Sequence, residues 1–305
     1  MSRSRGRDIG VYASAMPLIT VLISTYNRPD LLRQALQSVL AQTVQDFEVL
    51  VRDDAGRPGE VERVISEMTD PRIHYRRNET NLGDCGTNFA LYREAQGEYL
   101  AHLDDDDRWK PRALETFLGA LQQHSEVGLA FSNQTICDAS GQSLGEAEVA
   151  AAAARWGRAG LTEGLQANGR YLAAVVRAAP VSNAAMIRRS TLDISRLDDR
   201  AASAWDMWVA SQAVRQTGLA WFEPEGLSLY RRHSASLSLA RSSDRKFAGL
   251  TWCLRQLARD PKFVAERPEL RRRLARQEVN WGLNQIVRER RPVGVQHLLK
   301  GLTQS

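Results

Sequence analysis

Residues 98–111 read Glu98-Tyr-Leu-Ala-His-Leu-Asp-Asp-Asp-Asp-Arg-Trp-Lys-Pro111. An apolar strand pattern is followed by four aspartates and then by a proline suited to open a helix. Most charge runs are solvated loops, but four adjacent carboxylates between a buried strand and a helix repel one another unless a cation lies among them. Ligands of open α/β sheets bind at the carboxyl ends of strands. The stretch therefore predicts a divalent-metal site at a sheet edge and indicates phosphate chemistry.

Strand and helix patterns alternate on both sides of this stretch. The predicted strands are 18–24, 47–51, 72–76, 98–103, 127–131 and 181–187, and the predicted helices are 29–42, 59–68, 88–95, 111–123 and 205–215. An extended segment follows at 221–230, and the pattern is helical from Arg245 onward. This alternation predicts an α/β fold with a mostly parallel central sheet flanked by helices, and a C-terminal helical extension.

The segment between residues 138 and 169 breaks this regularity. It is rich in Gly, Ser and Ala and includes five consecutive alanines at 150–154. Small residues and scattered glycines are typical of loops, so we expect an insertion or flap here rather than core.

Composition limits the class of protein. The chain has 305 residues, of which 43% are hydrophobic and 25% charged, and it lacks an apolar run of the roughly 20 residues that span a bilayer. No apolar segment follows the basic N-terminus, so a secretory signal is not expected and a cytoplasmic location is predicted. Cys85, Cys137 and Cys253 match no zinc spacing, which favours reduced thiols.

Charge is distributed unevenly along the chain. The net charge is +5, but residues 241–305 contain 15 Lys and Arg against 6 Asp and Glu. Such a basic helical region suits an anionic membrane surface, to which the protein would be peripheral, or it decorates ordinary exposed faces. A homodimer contact through these helices is equally open, and a nucleic-acid partner is not expected.

Polar residues follow three of the predicted strands. The first strand runs into Ser24-Thr-Tyr-Asn-Arg28, the second into Asp53-Asp54, and the fourth into the aspartates at 104–107. An aromatic ring suits a flat base, carboxylates suit base N–H groups and ribose hydroxyls, and metal-bound carboxylates suit a pyrophosphate. Because three strand ends agree, the pattern predicts a nucleoside diphosphate site.

At these residues the chain resembles the family 2 glycosyltransferases of GT-A fold, over roughly residues 17–240. The matching motifs are Thr20-Val-Leu-Ile-Ser-Thr-Tyr-Asn-Arg28, Phe47-Glu-Val-Leu-Val-Arg-Asp-Asp54, Asn81-Leu-Gly83, Gly97 to Pro111, and Leu229-Tyr-Arg-Arg-His-Ser-Ala-Ser-Leu-Ser238. The resemblance implies an inverting hexosyltransferase with a UDP-sugar donor and Mn²⁺ or Mg²⁺. It also implies an N-terminal tail at 1–16, a nucleotide-binding half at 17–135, an acceptor half at 136–240 and an extension at 241–305.

The resemblance also assigns residues to the donor. Ser24 and Tyr26 match positions that hold uracil and ribose, and Asp54 matches the carboxylate that reads the base. Asp105 is the expected ribose contact.

The expected metal ligands come from the same resemblance. Asp106 is the expected direct ligand, with Asp104 supporting it, and His233 matches a histidine that completes metal or diphosphate binding. Asp107 follows the Asp-x-Asp motif, so we expect it to cap the next helix or to contact the acceptor.

Two positions depart from the family pattern. The catalytic base lies in a segment Asp-aromatic-Asp-apolar-Trp, which here is Ala204-Trp-Asp-Met-Trp208. Asp206 remains as the candidate base, and Asp198 or Asp199 is the alternative. Thr87 stands where many relatives carry an Arg, so Arg28 or Arg231 is expected to contact the pyrophosphate.

Two other functions stay open at this point. Ala204 makes a non-catalytic or weakly active sugar-nucleotide-binding protein conceivable. A nucleotidyltransferase is disfavoured because residues 24–29 contain no glycine for a phosphate loop. The acceptor, whether saccharide, lipid-linked sugar, natural product or peptide, is undetermined, although Trp156 and Trp205 are candidates to stack on a sugar ring, whereas Trp208 is expected in the core.

Overall fold

The computed structural model describes residues 16–232, 244–287 and 291–302. Most of the predicted N-terminal tail and the predicted boundary near residue 240 lie outside the described residues. Across the described part, nine strands form a single sheet, with helices packed on both of its faces.

The strands are β1 (Ile19–Thr25), β2 (Phe47–Asp53), β3 (Ile73–Arg77), β4 (Tyr99–His102), β5 (Arg108–Trp109), β6 (Leu129–Cys137), β7 (Gly164–Gln166), β8 (Ala185–Arg188) and β9 (Ala220–Arg231). Their order in the sheet is β3-β2-β1-β4-β8-β6-β9-β5, and β7 pairs with β9. The predicted parallel arrangement is confirmed for β3, β2, β1 and β4. Beyond β4 the sheet is mixed, because β8 pairs antiparallel with both of its neighbours.

The α-helices are α1 (Pro29–Leu40), α2 (Glu60–Met68), α3 (Gly83–Glu94), α4 (Ala113–Gln123), α5 (Glu146–Arg155), α6 (Trp205–Ala213), α7 (Asp244–Arg259), α8 (Arg267–Val287) and α9 (Arg291–Leu302). A π-helical turn covers Tyr171–Val176, and a 3-10 segment at Asp199–Ala204 leads into α6.

Central position explains the composition of β1. Its residues are buried except for half-buried Ser24, because β2 and β4 flank it and helices cover both faces. The registers pair Thr25 with Asp53 and Leu22 with His102. Three parallel strands therefore end at one edge, with the aspartates after β4 beside the ends of β1 and β2.

Two helices differ from the sequence prediction. α3 begins at Gly83 rather than at residue 88, and seven of its residues are buried, so it shows no apolar stripe to mark its length. The Ala-rich segment expected as a flap forms α5, which packs on β6 through Ala152 and Ala153. Alanine is the strongest helix former, and this propensity outweighs the loop-like composition.

The C-terminal helices share the main core. Leu254 and Leu257 of α7 lie in the same buried cluster as Phe131 of β6 and Trp205 of α6. α7 also packs against the 3-10 segment, where a Cβ added to Gly249 would lie 2.3 Å from the carbonyl oxygen of Ala201. Among the described residues, no helix combines the length and apolarity needed to cross a bilayer.

Gly97 allows β1 and β4 to approach closely. A Cβ at this position would lie 2.5 Å from the backbone nitrogen of Thr20, whose hydroxyl accepts a hydrogen bond from the Gly97 amide at 2.8 Å. We expect Gly97→Ala to lower the free energy of unfolding by about 1–3 kcal/mol, measured by denaturant unfolding. Gly119→Ala in α4 is the control, because its Cβ would meet nothing within 4 Å, and it should stabilise the helix by about 0.5–1 kcal/mol. Equal effects of the two changes would contradict this account of Gly97.

Candidate functional site

The aspartates after β4 converge at the carboxyl edge of the parallel strands. Asp104, Asp106 and Asp107 each offer one carboxylate oxygen, and these oxygens lie within 4.8 Å of one another. Two unit charges at that separation repel by about 3 kcal/mol at the effective dielectric of a protein surface. The cluster thus has the spacing and the hard oxygen donors that a divalent cation prefers.

Asp105 points toward β1, away from that cluster. It is 5% exposed, and its carboxylate accepts hydrogen bonds from Thr25 Oγ1 at 2.7 Å and from Arg28 Nη1 at 3.0 Å. Arg28 Nη1 also reaches Asp106 Oδ2 at 2.9 Å. Arg28 therefore bridges two of the four aspartates, and Thr25, which the sequence analysis passed over, fixes the orientation of Asp105.

Burial and mutual repulsion raise the pKa values of three of these carboxyls, those of Asp104, Asp105 and Asp107. Burial is the main cause for Asp105, whose pKa rises to about 6, and for Asp107, whose pKa rises to about 8. Burial, together with the charges of Asp106 and Asp107, raises the pKa of Asp104 well above its usual range. The ionised cluster is thus unfavourable by itself, and a bound cation would favour the charged form.

Asp107 does not cap the following helix. α4 begins after Arg112 without a side-chain cap, and the carboxylate of Asp107 instead accepts hydrogen bonds from Asn183 Nδ2 and from the Arg231 backbone amide, the latter at 2.8 Å. The helix-capping expectation for Asp107 is therefore wrong. The carboxylate of Asp107 faces Asn183 and β9 instead of the start of α4.

Asp54, the residue expected to read the base, fixes the backbone at the start of α3. Both carboxylate oxygens of Asp54 accept hydrogen bonds, from Asn78 Nδ2 at 2.9 Å and from the amides of Leu82 and Gly83 at 2.7 and 2.9 Å. Ser24 is half-buried at the end of β1, and Tyr26 is 50% exposed beside it. The aromatic ring of Tyr26 is accessible to a ligand, whereas contact with Asp54 requires sharing its existing bonds.

Arg231 is buried, and its guanidinium bonds to three separate segments around the site. Its guanidinium donates to the carbonyl oxygens of Asp106 and Ala139 and to Gln34 Oε1, at 2.8, 2.8 and 2.9 Å. It is 3% exposed, so its predicted contact with a pyrophosphate would need these bonds to rearrange. His233, the third predicted metal ligand, lies outside the described residues.

Asp206 lies in the first turn of α6 and pairs with Arg177. Arg177 Nη2 lies 3.2 and 3.3 Å from its two carboxylate oxygens, and the Asp206 side chain is 31% exposed. Ala204 is buried, so its side chain offers nothing to a ligand. Asp198 caps the 3-10 segment and pairs with Arg200, whereas Asp199 is 69% exposed.

Asp84 is a site carboxylate that the sequence analysis missed. Its oxygens accept hydrogen bonds from Trp205 Nε1 at 2.8 Å and from Asn88 Nδ2 at 2.9 Å. Burial is the main cause that raises its pKa to about 6, and the charge of Asp206 raises it further. The available signal was its position three residues before Thr87, in the motif that lacks the expected arginine. The sequence analysis missed it because the predicted start of α3 at residue 88 left Asp84 in a loop.

The three tryptophans that the sequence analysis considered for sugar stacking differ in exposure. Trp208 is 2% exposed, which confirms its predicted core position. Trp205 is 4% exposed and packs on His102 with ring centroids 4.8 Å apart, so the prediction that it stacks on a sugar is wrong. Helical spacing could not distinguish a ring facing the site from one packed under it. Trp156 is half-buried at the end of α5.

Comparison with known proteins matches part of the chain to glycosyltransferases. Residues 20–148 match the family model "Glycosyl transferase family 2". The chain is 35% identical over 122 residues to the putative colanic acid biosynthesis glycosyl transferase WcaA of Escherichia coli K12, which is 40% of this chain and 44% of that protein. It is 34% identical over 110 residues, 36% of this chain and 44% of the relative, to the putative teichuronic acid biosynthesis glycosyltransferase TuaG of Bacillus subtilis. The chain thus spans less than half the length of these curated relatives.

Solved structures agree on the fold. The S. aureus TarS 1–349 complex with UDP-GlcNAc superposes with a TM-score of 0.67 at 15% identity, covering 94% of this chain and 81% of that one. The mannosyltransferase PcManGT of Pyrobaculum calidifontis, in complex with GDP-Man and Mn²⁺, gives 0.58 at 16% identity, covering 96% and 77%. The predicted GT-A fold is confirmed.

Asp84 should make stability depend on pH. Its pKa is about 6 in the folded protein against 3.8 for an ordinary aspartate, so the folded state binds this proton more tightly. The resulting stabilisation is complete below about pH 4 and is lost as the pH rises through 6. Relative to Asp84→Asn, which has no proton to lose, the wild type should lose roughly 2–3 kcal/mol of unfolding free energy between pH 4 and pH 7. Urea unfolding at the two pH values measures this difference. A constant difference would contradict the raised pKa of Asp84.

Proposed function

We propose that the chain transfers a sugar from a nucleoside diphosphate sugar to an acceptor hydroxyl, as the match of residues 20–148 to the family model "Glycosyl transferase family 2" supports. The observation that carries the proposal is the convergence of Asp104, Asp106 and Asp107 at the carboxyl edge of the parallel strands. A diphosphate carries the negative charge that such a cluster binds through a dication. The sheet edge therefore suits the donor, and α6 with Asp206 lies on the acceptor side.

The residues of the cluster fit Mn²⁺ or Mg²⁺. Their carboxylate oxygens are hard donors, and the raised pKa values of Asp104 and Asp107 mean that a cation would relieve an unfavourable concentration of charge. Asp106, supported by Asp104, would hold the ion, and Asp107, whose oxygens also accept hydrogen bonds from Asn183 and the Arg231 amide, completes the cluster. When bound, the ion would neutralise charge on the departing diphosphate.

The donor is proposed to be a UDP-sugar. Tyr26 presents an exposed aromatic face for the base, and half-buried Ser24 precedes it at the end of β1. Asp54 would read the base through a carboxylate held in place by Asn78. TarS, crystallised with UDP-GlcNAc and with UDP, and PcManGT, crystallised with GDP-Man, share the fold, which supports a nucleoside diphosphate sugar as the donor class.

The reaction is proposed to invert the anomeric configuration in a single displacement. Asp206 would accept the proton of the attacking hydroxyl, since its carboxylate is partly exposed and Arg177 holds its orientation. Arg28 would stabilise negative charge beside Asp105 and Asp106. If Asp206 does not act as a base, the protein would bind a sugar nucleotide and transfer poorly, which is the alternative function.

The partners of the C-terminal region are also proposals. α8 and α9 expose several apolar side chains, including Val287 at 82% and Leu302 at 68%, in a basic part of the chain. Contact with a second copy or with an anionic membrane surface would cover them.

Asp106→Ala should abolish donor binding in the presence of Mn²⁺, because it removes a central carboxylate of the cluster. Isothermal calorimetry with UDP and Mn²⁺ measures the affinity. Asp193→Ala, an exposed aspartate outside the cluster, should leave the affinity unchanged. An unaltered affinity in Asp106→Ala would exclude the residue from the metal site.

Asp206→Asn should lower turnover by about 10²- to 10⁴-fold, the usual contribution of a general base, while the affinity for UDP stays near that of the wild type. Release of UDP from a UDP-sugar with acceptor measures turnover. Asp199→Asn is the matched control, because Asp199 is the exposed alternative base. Full activity in Asp206→Asn together with loss in Asp199→Asn would transfer the role to Asp199.

A further inference from the structure

A cavity lies between α5 and the ends of β6 and β9. Its volume is about 200 Å³, which has room for one sugar ring. Glu148 and Arg155 line it from one face of α5, and Tyr230 of β9 and Arg232, which directly follows β9, line the other side. Because side chains alternate along a strand, the side chain of Tyr230 faces away from that of Arg231, whose backbone amide binds Asp107. The cavity is therefore separate from the acidic cluster but is built on the same strand end.

The lining combines two aromatic rings with charged groups. Trp156 and Tyr230 meet edge to face, with ring centroids 5.6 Å apart and an angle of 87° between the planes. Arg232 forms an ion pair with Glu148 at the wall. An aromatic face packs against the C–H groups of a pyranose, and a guanidinium and a carboxylate bind its hydroxyls. This set of side chains suits a carbohydrate better than an apolar ligand.

The turn after Trp156 joins the cavity to the proposed base. Gly157 has φ +66°, and a Cβ there would lie 1.9 Å from Val176 Cγ1, so the turn rests directly on the π-helical segment. The next residue after Val176 is Arg177, which pairs with Asp206. Trp156 is thus held at a fixed place relative to the acceptor-side carboxylate.

A buried polar chain joins the same wall to the acidic cluster. The guanidinium of Arg158, a residue 2% exposed, lies 4.9 Å from the Trp156 ring centroid and donates to Gln134 Oε1 at 2.8 Å. Gln134 Nε2 donates to Asn183 Oδ1 at 2.6 Å, and Asn183 donates to Asp107. Burial lowers the pKa of Arg158 to about 9, so the buried cation is costly to keep. Its contacts position Trp156 from below.

We propose that this cavity binds one pyranose ring of a saccharide acceptor, with the ring stacked on Trp156 and its hydroxyls on Arg232 and Glu148. The inference rests on the proposed glycosyl transfer and names its acceptor class. Arg158 is a positioning residue that links the acceptor ring to the acidic cluster through Gln134 and Asn183.

Saturation-transfer NMR tests the cavity directly, with methyl β-glucoside, methyl β-glucuronide and chitobiose as probes. The wild type should transfer saturation to the ring protons of at least one of them. Trp156→Leu should reduce that signal at least fivefold, and Trp156→Phe, which keeps an aromatic face, should retain most of it. Trp221→Leu is the matched control, since Trp221 stacks on His124 at the other end of β9.

Two results would overturn the proposal: no saturation transfer to any of the three sugars in the wild type, or an undiminished signal in Trp156→Leu. Titration of UDP with Mn²⁺ on the same samples separates this test from the proposed function. Sugar binding without UDP binding would contradict the proposed donor site and would support the proposed sugar site in the cavity. UDP binding without sugar binding would contradict only the proposal that the cavity binds a sugar.

Discussion

Crowding of carboxylates at one sheet edge is the constraint on which the site depends. Three oxygens within 4.8 Å would drive the quartet apart if the surrounding structure did not hold each carboxylate. Asp105 is held by Thr25 and Arg28, and Asp107 by Asn183 and the Arg231 amide. These contacts come from β1, from the loop before α1, from the turn before β8 and from β9. The sheet therefore has to be assembled across its width before the cluster can exist.

Much of this edge could be predicted from sequence because its signals are local. Uninterrupted apolar strands that end in polar residues predicted β1, β2 and β4, and the order of motifs predicted the GT-A fold. The mixed half of the sheet was less accessible, since the pairing of β8 with β4 and β6 depends on distant segments. Its composition resembles that of a parallel strand because both kinds are buried in this position.

The residues that sequence analysis missed act through tertiary contacts. Burial raises the pKa of Asp84, while the hydrogen bond from Trp205 opposes that rise, and neither residue signals this locally. Arg158 is an unremarkable arginine after an alanine run, yet it is buried and bonded to Gln134. Such roles follow from which side chains the fold brings together, so a pattern read along one segment could not reveal them.

The packing of α7 on the 3-10 segment before α6 connects the C-terminal helices to the position of Asp206. Ala202 has φ +46°, a conformation that L-residues avoid, and α7 presses on it where Gly249 meets Ala201. α7 therefore supports the turn that leads to Asp206. A substitution in α7 that enlarged Gly249 would displace the backbone that leads to Asp206, while the acidic cluster at the carboxyl edge of the parallel strands would keep its own contacts.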